Sequence, residues 1–196
     1  MDIGLPNLVI AEHSLDLSLV PDAAKILDLG CRGFGFANYF RDRGHDVYAI
    51  DVDLLDGHRG DDALGDYLRC AVASEDGRCG VRYVSGDPQA THITYGDAVP
   101  MYTLQTLSAK LGVAAWDIIK MDIEGAEYEI LDNARTCHPI AKQLTIEFHA
   151  HCAPQDKWML DALLSKLSTH YEVHNQVWEP RHGCCANYWD VLLISR

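Results

Sequence analysis

The residues best suited to chemistry lie in one stretch, Asp117 to Leu131, which reads DIIKMDIEGAEYEIL. It sets Lys120, Asp122 and Glu124 around the seam between an apolar run and a helix. Ile118, Ile119, Met121 and Ile123 mark a buried strand that Gly125 ends. Tyr128, Ile130 and Leu131, interleaved with Glu127, Glu129 and Asp132, then mark an amphipathic helix. Carboxylates gain no stability where a buried strand feeds a helix, and in open α/β sheets that end of the strand is where ligands bind. Glu147 and His149 alternate along LTIEFH and therefore share one face of a strand. Carboxylates beside an imidazole suit proton transfer. His149, with an ordinary pKa near neutrality, is the candidate general base, and Glu147 orients the substrate or the imidazole. His182, in RHGCCANY where a substrate lid would form, is a second candidate base. Lys120 lies inside a strand, where an unpaired charge is costly, so it requires a carboxylate partner.

A glycine-rich turn, DLGCRGFGF from Asp28 to Phe36, offers a second kind of chemistry. Glycines there let backbone approach a ligand. The spacing is G-x-x-G-x-G over Gly30, Gly33 and Gly35, not the G-x-G-x-x-G of dinucleotide folds. An acid at the strand end repels a pyrophosphate and attracts an amine. Asp51, ~20 residues on, suits a ribose diol. An amine and a ribose diol with no phosphate describe S-adenosylmethionine (SAM).

The elements that position these groups alternate between strand and helix. Strands are expected at Lys25–Leu29, Asp46–Ile50, Tyr67–Ala73, Trp116–Ile123 and Gln143–Phe148, with an accessory strand at Val81–Val84 after a turn at EDGRCG. Helices are expected at Phe36–Arg43, Leu104–Leu111, after Gly125, and at Pro154–Leu167. Residues 52–66 read as a loop with a short helix. Tyr171–Trp178 and Tyr188–Ser195 have no helix between them and should pair antiparallel. The pattern predicts an α/β fold, a mostly parallel sheet with helices on both faces. Residues 1–24 are a lead segment and 25–196 one domain.

Composition narrows the function classes. The 196 residues carry a net charge of −13 without a basic run, which disfavours nucleic acid. No stretch approaches the ~20 apolar residues of a membrane span, and no signal region is apparent. Seven irregularly spaced cysteines fit reduced thiols, so a cytoplasmic location is expected.

DLGCRG, AIDVD, DIIKMDIEGAEYEIL and LTIEFH, in that order and spacing, resemble the FkbM family of class I SAM-dependent methyltransferases over residues 24–150. The resemblance implies a seven-stranded Rossmann-like sheet with one antiparallel strand, and O-methylation of sugars, glycans or other natural products. It assigns Asp28, Gly30 and Asp51 to the cofactor, with Cys31, Gly33 and Val52 beside them. Val72, Ala73 and Ser74 approach the adenine, and Asp122 and Glu124 the methionine part. The first loop departs from the family's D-x-G-A-N-x-G: Cys31, Arg32 and Gly33 fill it, and Phe34 stands at the final glycine. A SAM-binding module without turnover and an NAD-type oxidoreductase are the alternatives. Mg²⁺ on Asp122, Glu124 and Glu147 is an open option. Zinc on His149, His151, Cys152, His182, Cys184 and Cys185 lacks a standard spacing. The short lead leaves little chain for a cap, which suggests an open cleft on a monomer or a pocket completed in a homodimer.

Overall fold

The computed structural model describes residues 7–53, 67–84, 87–133, 139–150, 156–179 and 187–196. A seven-stranded sheet forms the centre, in the order β11-β12-β10-β9-β3-β4-β5. Its members are β3 (Lys25–Leu29), β4 (Asp46–Asp51), β5 (Tyr67–Arg69), β9 (Trp116–Met121), β10 (Ala141–Ala150), β11 (Tyr171–Glu179) and β12 (Asn187–Ser195). β12 runs antiparallel to both β10 and β11, while the other pairings are parallel. The expected single antiparallel strand is therefore β12. Strand order reverses between β3 and β9, and their carboxyl ends open the crevice that such a switch point creates.

Both faces of the sheet are buried, which explains why KILDL and DIIKM read as continuous apolar runs. Ile26, Ile118 and Leu192 point toward α1 (Gly35–Arg41) and pack on Phe36, Ala37 and Phe40. Their neighbours Leu27, Ile119 and Leu193 point the other way, into a core with Leu107 of α2 (Leu104–Leu111), Ile130 and Leu131 of α3 (Glu127–Asp132), and Leu160 and Leu163 of α4 (Asp156–Leu167). α2 starts at Thr103, whose hydroxyl accepts the Thr106 N–H at 3.2 Å, and ends at Gly112 with φ +68°.

Three segments differ from the expectation. Residues 7–19 form a hairpin of β1 (Asn7–Ile10) and β2 (His13–Asp16) followed by a 3₁₀ turn. Buried Gln143 fastens it to β10, accepting the Asp16 N–H at 3.0 Å and donating to the Asp16 carbonyl at 2.9 Å. Ser14 donates to Asp190 of β12 at 3.0 Å. The expected strand Tyr67–Ala73 breaks at Cys70: β5 stays in the main sheet, while β6 (Ala71–Val72) pairs with β8. The expected turn EDGRCG instead enters a long strand, β7 (Gly77–Val84), paired with the 16-residue β8 (Asp87–Tyr102). β8 contains Pro88, Gly96 and Pro100, and this content hides it from a strand reading. Gly80 and Gly96 meet across a register shift, where a Cβ on Gly96 would lie 2.8 Å from Gly80 Cα. The 52–66 loop falls almost wholly outside the described residues.

Gly30 is the tightest point of the crevice. Its φ is +77°, and a Cβ there would sit 1.7 Å from the Asp122 carbonyl oxygen. Gly44 has a similar φ of +81° but open space around it. Gly30→Ala should cost roughly 3 kcal/mol or more in urea unfolding, against ~1 kcal/mol for Gly44→Ala. Equal losses would show that the close approach of β3 to β9 does not constrain the fold.

Candidate active site

Lys120 of β9 is buried at the crevice floor. Its ammonium donates to the carbonyls of Gly30 at 2.6 Å and Leu29 at 3.3 Å. It lies 3.3 Å from Asp28 and 3.4 Å from Asp122. Burial opposes the charge, but the two carboxylates outweigh it and hold the Lys120 pKa above its usual value. The partners that the lysine requires are thus Asp28 and Asp122. Burial pushes Asp28 up against the pull of Lys120. For Asp122, burial is overcome by Lys120, His149 and His13, which hold its carboxyl below the usual range.

The turn after β9 carries Glu124 in the left-handed region, φ +58°, followed by Gly125 at +110°. Such a backbone costs about 1 kcal/mol or more for a non-glycine residue and persists where surrounding contacts fix it. Glu127 supplies the contacts. Fully buried at the start of α3, its Oε1 accepts the N–H groups of Ile123 at 3.0 Å and Gly125 at 3.2 Å. The same oxygen faces His149 Nδ1 at 3.0 Å. A sequence reading places Glu127 on the polar helix face. The signal it misses is a glutamate at a helix start, positioned to reach back to its own turn.

His149 lies among four carboxylates. Beyond Glu127, its Nε2 is 3.3 Å from Glu147, 3.5 Å from Glu124 and 3.7 Å from Asp122. Burial alone would lower its pKa, but the bonds to Glu127 and Glu147 raise it well above the ordinary value. A histidine so held is an imidazolium at neutral pH, with no lone pair to accept a proton. Its position matches expectation; a base role does not follow from that position. Glu124 is the converse. Burial, with Asp122, Glu127 and Glu147 nearby, pushes its carboxyl up to about 7 despite His149.

Two clefts meet at Gly30, Arg32, Asp122 and Glu124. The first runs past Ile50, Asp51 and Val52 to Cys70, Ala71 and Val72, and is lined also by Arg32 and by Ile93 of β8. Asp51 already accepts the Asp53 N–H at 2.9 Å. The second cleft is lined by His13, Asp28, Cys31, Gly33, Lys120 and Glu147. The residues expected at the cofactor thus divide: Gly30, Asp51, Val52, Val72, Asp122 and Glu124 line the first cleft, while Asp28, Cys31 and Gly33 lie on the second. Ala73 and Ser74 line neither, because the chain turns to join β8 and Ser74 bonds Glu129 instead. His182 lies outside the described residues, as do the four other members of the zinc set besides His149. Among the described residues the converging metal-type sets each include a histidine, His13 with Asp122 and Glu147, or His149 with Asp122 and Glu124.

His13 was unforeseen because it lies in the lead segment. The hairpin tip, with Ala11 and Glu12 at φ +47° and +72°, brings it against Phe36 and 4.0 Å from Asp122. Burial and Lys120 lower its pKa to about 3, so it is neutral. Phe34, at the family's final glycine, adopts the glycine-like φ of +55° and anchors edge-on against Tyr67.

The chain is similar to several solved structures. A crystal structure of a candidate hemolysin from Lactococcus lactis superposes with a TM-score of 0.50 at 11% identity, over 89% of this chain and 79% of that one. A TehB-like SAM-dependent methyltransferase from Corynebacterium glutamicum has 18% identity over 91% and 84% of the two chains, at a TM-score of 0.45. The 1,6-didemethyltoxoflavin-N1-methyltransferase of Burkholderia thailandensis, bound to its substrate and S-adenosylhomocysteine, has 17% identity over 88% and 71%, also at 0.45. No curated protein sequence matches the chain. The sequence profile of the methyltransferase FkbM domain matches residues 30–175, most of the chain. With the Rossmann-like sheet and the KMDIEGAE turn in place, the chain belongs to the FkbM family of class I SAM-dependent methyltransferases.

Proposed function

We propose that the protein transfers the methyl group of SAM to a hydroxyl of a small, uncharged acceptor, a sugar or glycan end or a sugar-bearing natural product, with Glu124 as proton acceptor. The observation that carries this reading is Glu124 itself, a carboxyl held near 7 where the two clefts meet. A general base works best with a pKa near the working pH, and an alcohol needs one.

The first cleft fits SAM by its donor set. Asp51 suits the ribose diol, and Ile50, Cys70, Ala71 and Val72 give an apolar seat for the adenine. Arg32 is the cation among that cleft's lining residues and suits the cofactor carboxylate. Asp122 stays ionised, which suits the cofactor's positive groups. Bound SAM supplies a methyl group on a sulfonium, electrophilic without further activation. The chain aligns the acceptor oxygen, takes its proton on Glu124 and excludes water. His149 pins Glu124, Asp122 and Glu147 in place as a positioning cation. The excess of carboxylates in the second cleft disfavours anionic acceptors.

Asp51→Ala should weaken SAM binding at least tenfold in calorimetry, about 1.4 kcal/mol, because hydrogen bonds to a charged carboxylate are worth ~1.5–3 kcal/mol. Unchanged affinity would move the nucleoside elsewhere. Radiolabelled methyl transfer to a panel of sugars and glycosides should give O-methyl products, and labelling confined to amines would contradict the hydroxyl reading.

Glu124 also has a stability signature. Its folded pKa exceeds the value of 4.5 it has when unperturbed, so folding takes up a proton between 4.5 and about 7. Stability from this group is lost as pH rises through that window. His13 has the opposite sign below 6.5, so the difference between wild type and Glu124→Gln is the quantity to read. Urea unfolding from pH 4.5 to 8 should show Glu124→Gln gaining on wild type as pH rises, with SAM binding retained and transfer reduced ~10²-fold or more. A pH-independent difference would remove the raised carboxyl from the account.

A further inference from the structure

We propose that His13, Asp122 and Glu147 form a binding site for a divalent transition-metal cation at the floor of the second cleft. Each contributes one ligand atom, and the three atoms lie within 4.8 Å of one another. They come from three separate elements: the tip of the N-terminal hairpin, the end of β9 and β10.

The imidazole of His13 carries the argument. It is 3% exposed, yet its Nδ1 has no hydrogen-bond partner, and the nearest carboxylate oxygen to Nε2 is Asp122 Oδ2 at 4.0 Å. Buried polar groups in folded proteins are almost always satisfied. The hairpin that delivers this ring is fastened to the sheet through Gln143 and Asp190, so the ring is held where it is. The nitrogen that faces the carboxylates is Nε2, 4.0 Å from Asp122 and beyond hydrogen-bond reach, on a cleft wall shared with Glu147, and a cation between them would take that nitrogen.

The charge and donor set favour a cation. Asp28, Asp122, Glu124, Glu127 and Glu147 surround this floor, and Lys120 and His149, with Arg32 on the wall of the same cleft, are the basic groups set against them. Lys120 also lines this cleft and faces the same Asp122 oxygen as His13, at 3.4 Å, so a cation here would share that oxygen with the ammonium. The other converging set, Asp122, Glu124 and His149, is disfavoured because both nitrogens of His149 already face carboxylates, Glu127 at 3.0 Å and Glu147 at 3.3 Å. One imidazole with two carboxylates suits Mn²⁺, Fe²⁺ or Zn²⁺ better than Mg²⁺, which prefers oxygen alone. Ligands on such an ion stand roughly 3 Å apart, so side-chain closure completes the site. Three protein ligands leave positions open toward the cleft, where an acceptor oxygen can bind. Cation binding itself is independent of the acceptor assigned above.

The test uses the wild-type chain stripped with EDTA and titrated with Mn²⁺ by calorimetry, with SAM titrated separately into the same preparation. One Mn²⁺ per chain is expected, weakened at least roughly tenfold in His13→Ala and in Glu147→Gln. Electron spin echo modulation of Mn²⁺ on the wild type should show coupling to one imidazole nitrogen, which decides the matter if either variant fails to fold. No stoichiometric uptake of Mn²⁺ or Zn²⁺ by folded wild type, uptake unaffected by His13→Ala, or absent nitrogen coupling overturns the site. SAM binding without Mn²⁺ uptake would sink the cation site alone, and the converse would sink only the cofactor reading.

Discussion

The ammonium of Lys120 is the interaction on which the site depends. It reaches from β9 under the glycine loop, bonds the Leu29 and Gly30 carbonyls, and balances Asp28 and Asp122. A buried ammonium without partners costs several kcal/mol, and the fully buried Asp28 carboxylate without a cation costs as much again. Each charge is therefore tolerable only because the others are in place. The consequence is geometric: β3 and β9 must end side by side, which fixes the loop at Gly30 and the turn at Asp122 in one register. That register is the crevice at the switch point of the sheet.

A second layer rests on the first. With Asp122 held from below by Lys120, His149 can face it from β10, and Glu127 locks both His149 and the Glu124 turn. The result gives different environments to two carboxylates that only Ile123 separates in sequence. Asp122 stays ionised and Glu124 is pushed toward neutrality, although burial acts on both. Environment splits their duties, one for charge and one for proton transfer. The left-handed backbone at Glu124 is the strain this arrangement stores.

Much of this was legible in the residues. DIIKMDIEGAEYEIL disclosed the strand, its acidic end and the need of Lys120 for carboxylate partners, because local pattern and charge cost act over short sequence distances. The antiparallel pairing of β11 and β12 followed from the missing helix between them. What stayed hidden depends on long-range contact. His13 lies 109 positions before Asp122, and only the Gln143 and Asp190 bonds bring it home. The base role read from the ordinary pKa of His149 leaves out the three carboxylates, Asp122, Glu124 and Glu127, that other elements bring to it beside Glu147 of its own strand. β8 was missed because proline and glycine broke its pattern, although pairing with β7 makes it the longest strand described.

The most direct test of the account is calorimetric titration of the folded wild-type chain with SAM and, separately, with NAD⁺. One SAM bound per chain with no heat from NAD⁺ is the predicted result. Binding of NAD⁺ in preference to SAM, or no SAM binding by a chain shown to be folded, would contradict the reading of the Gly30–Asp51 cleft on which the proposed chemistry stands.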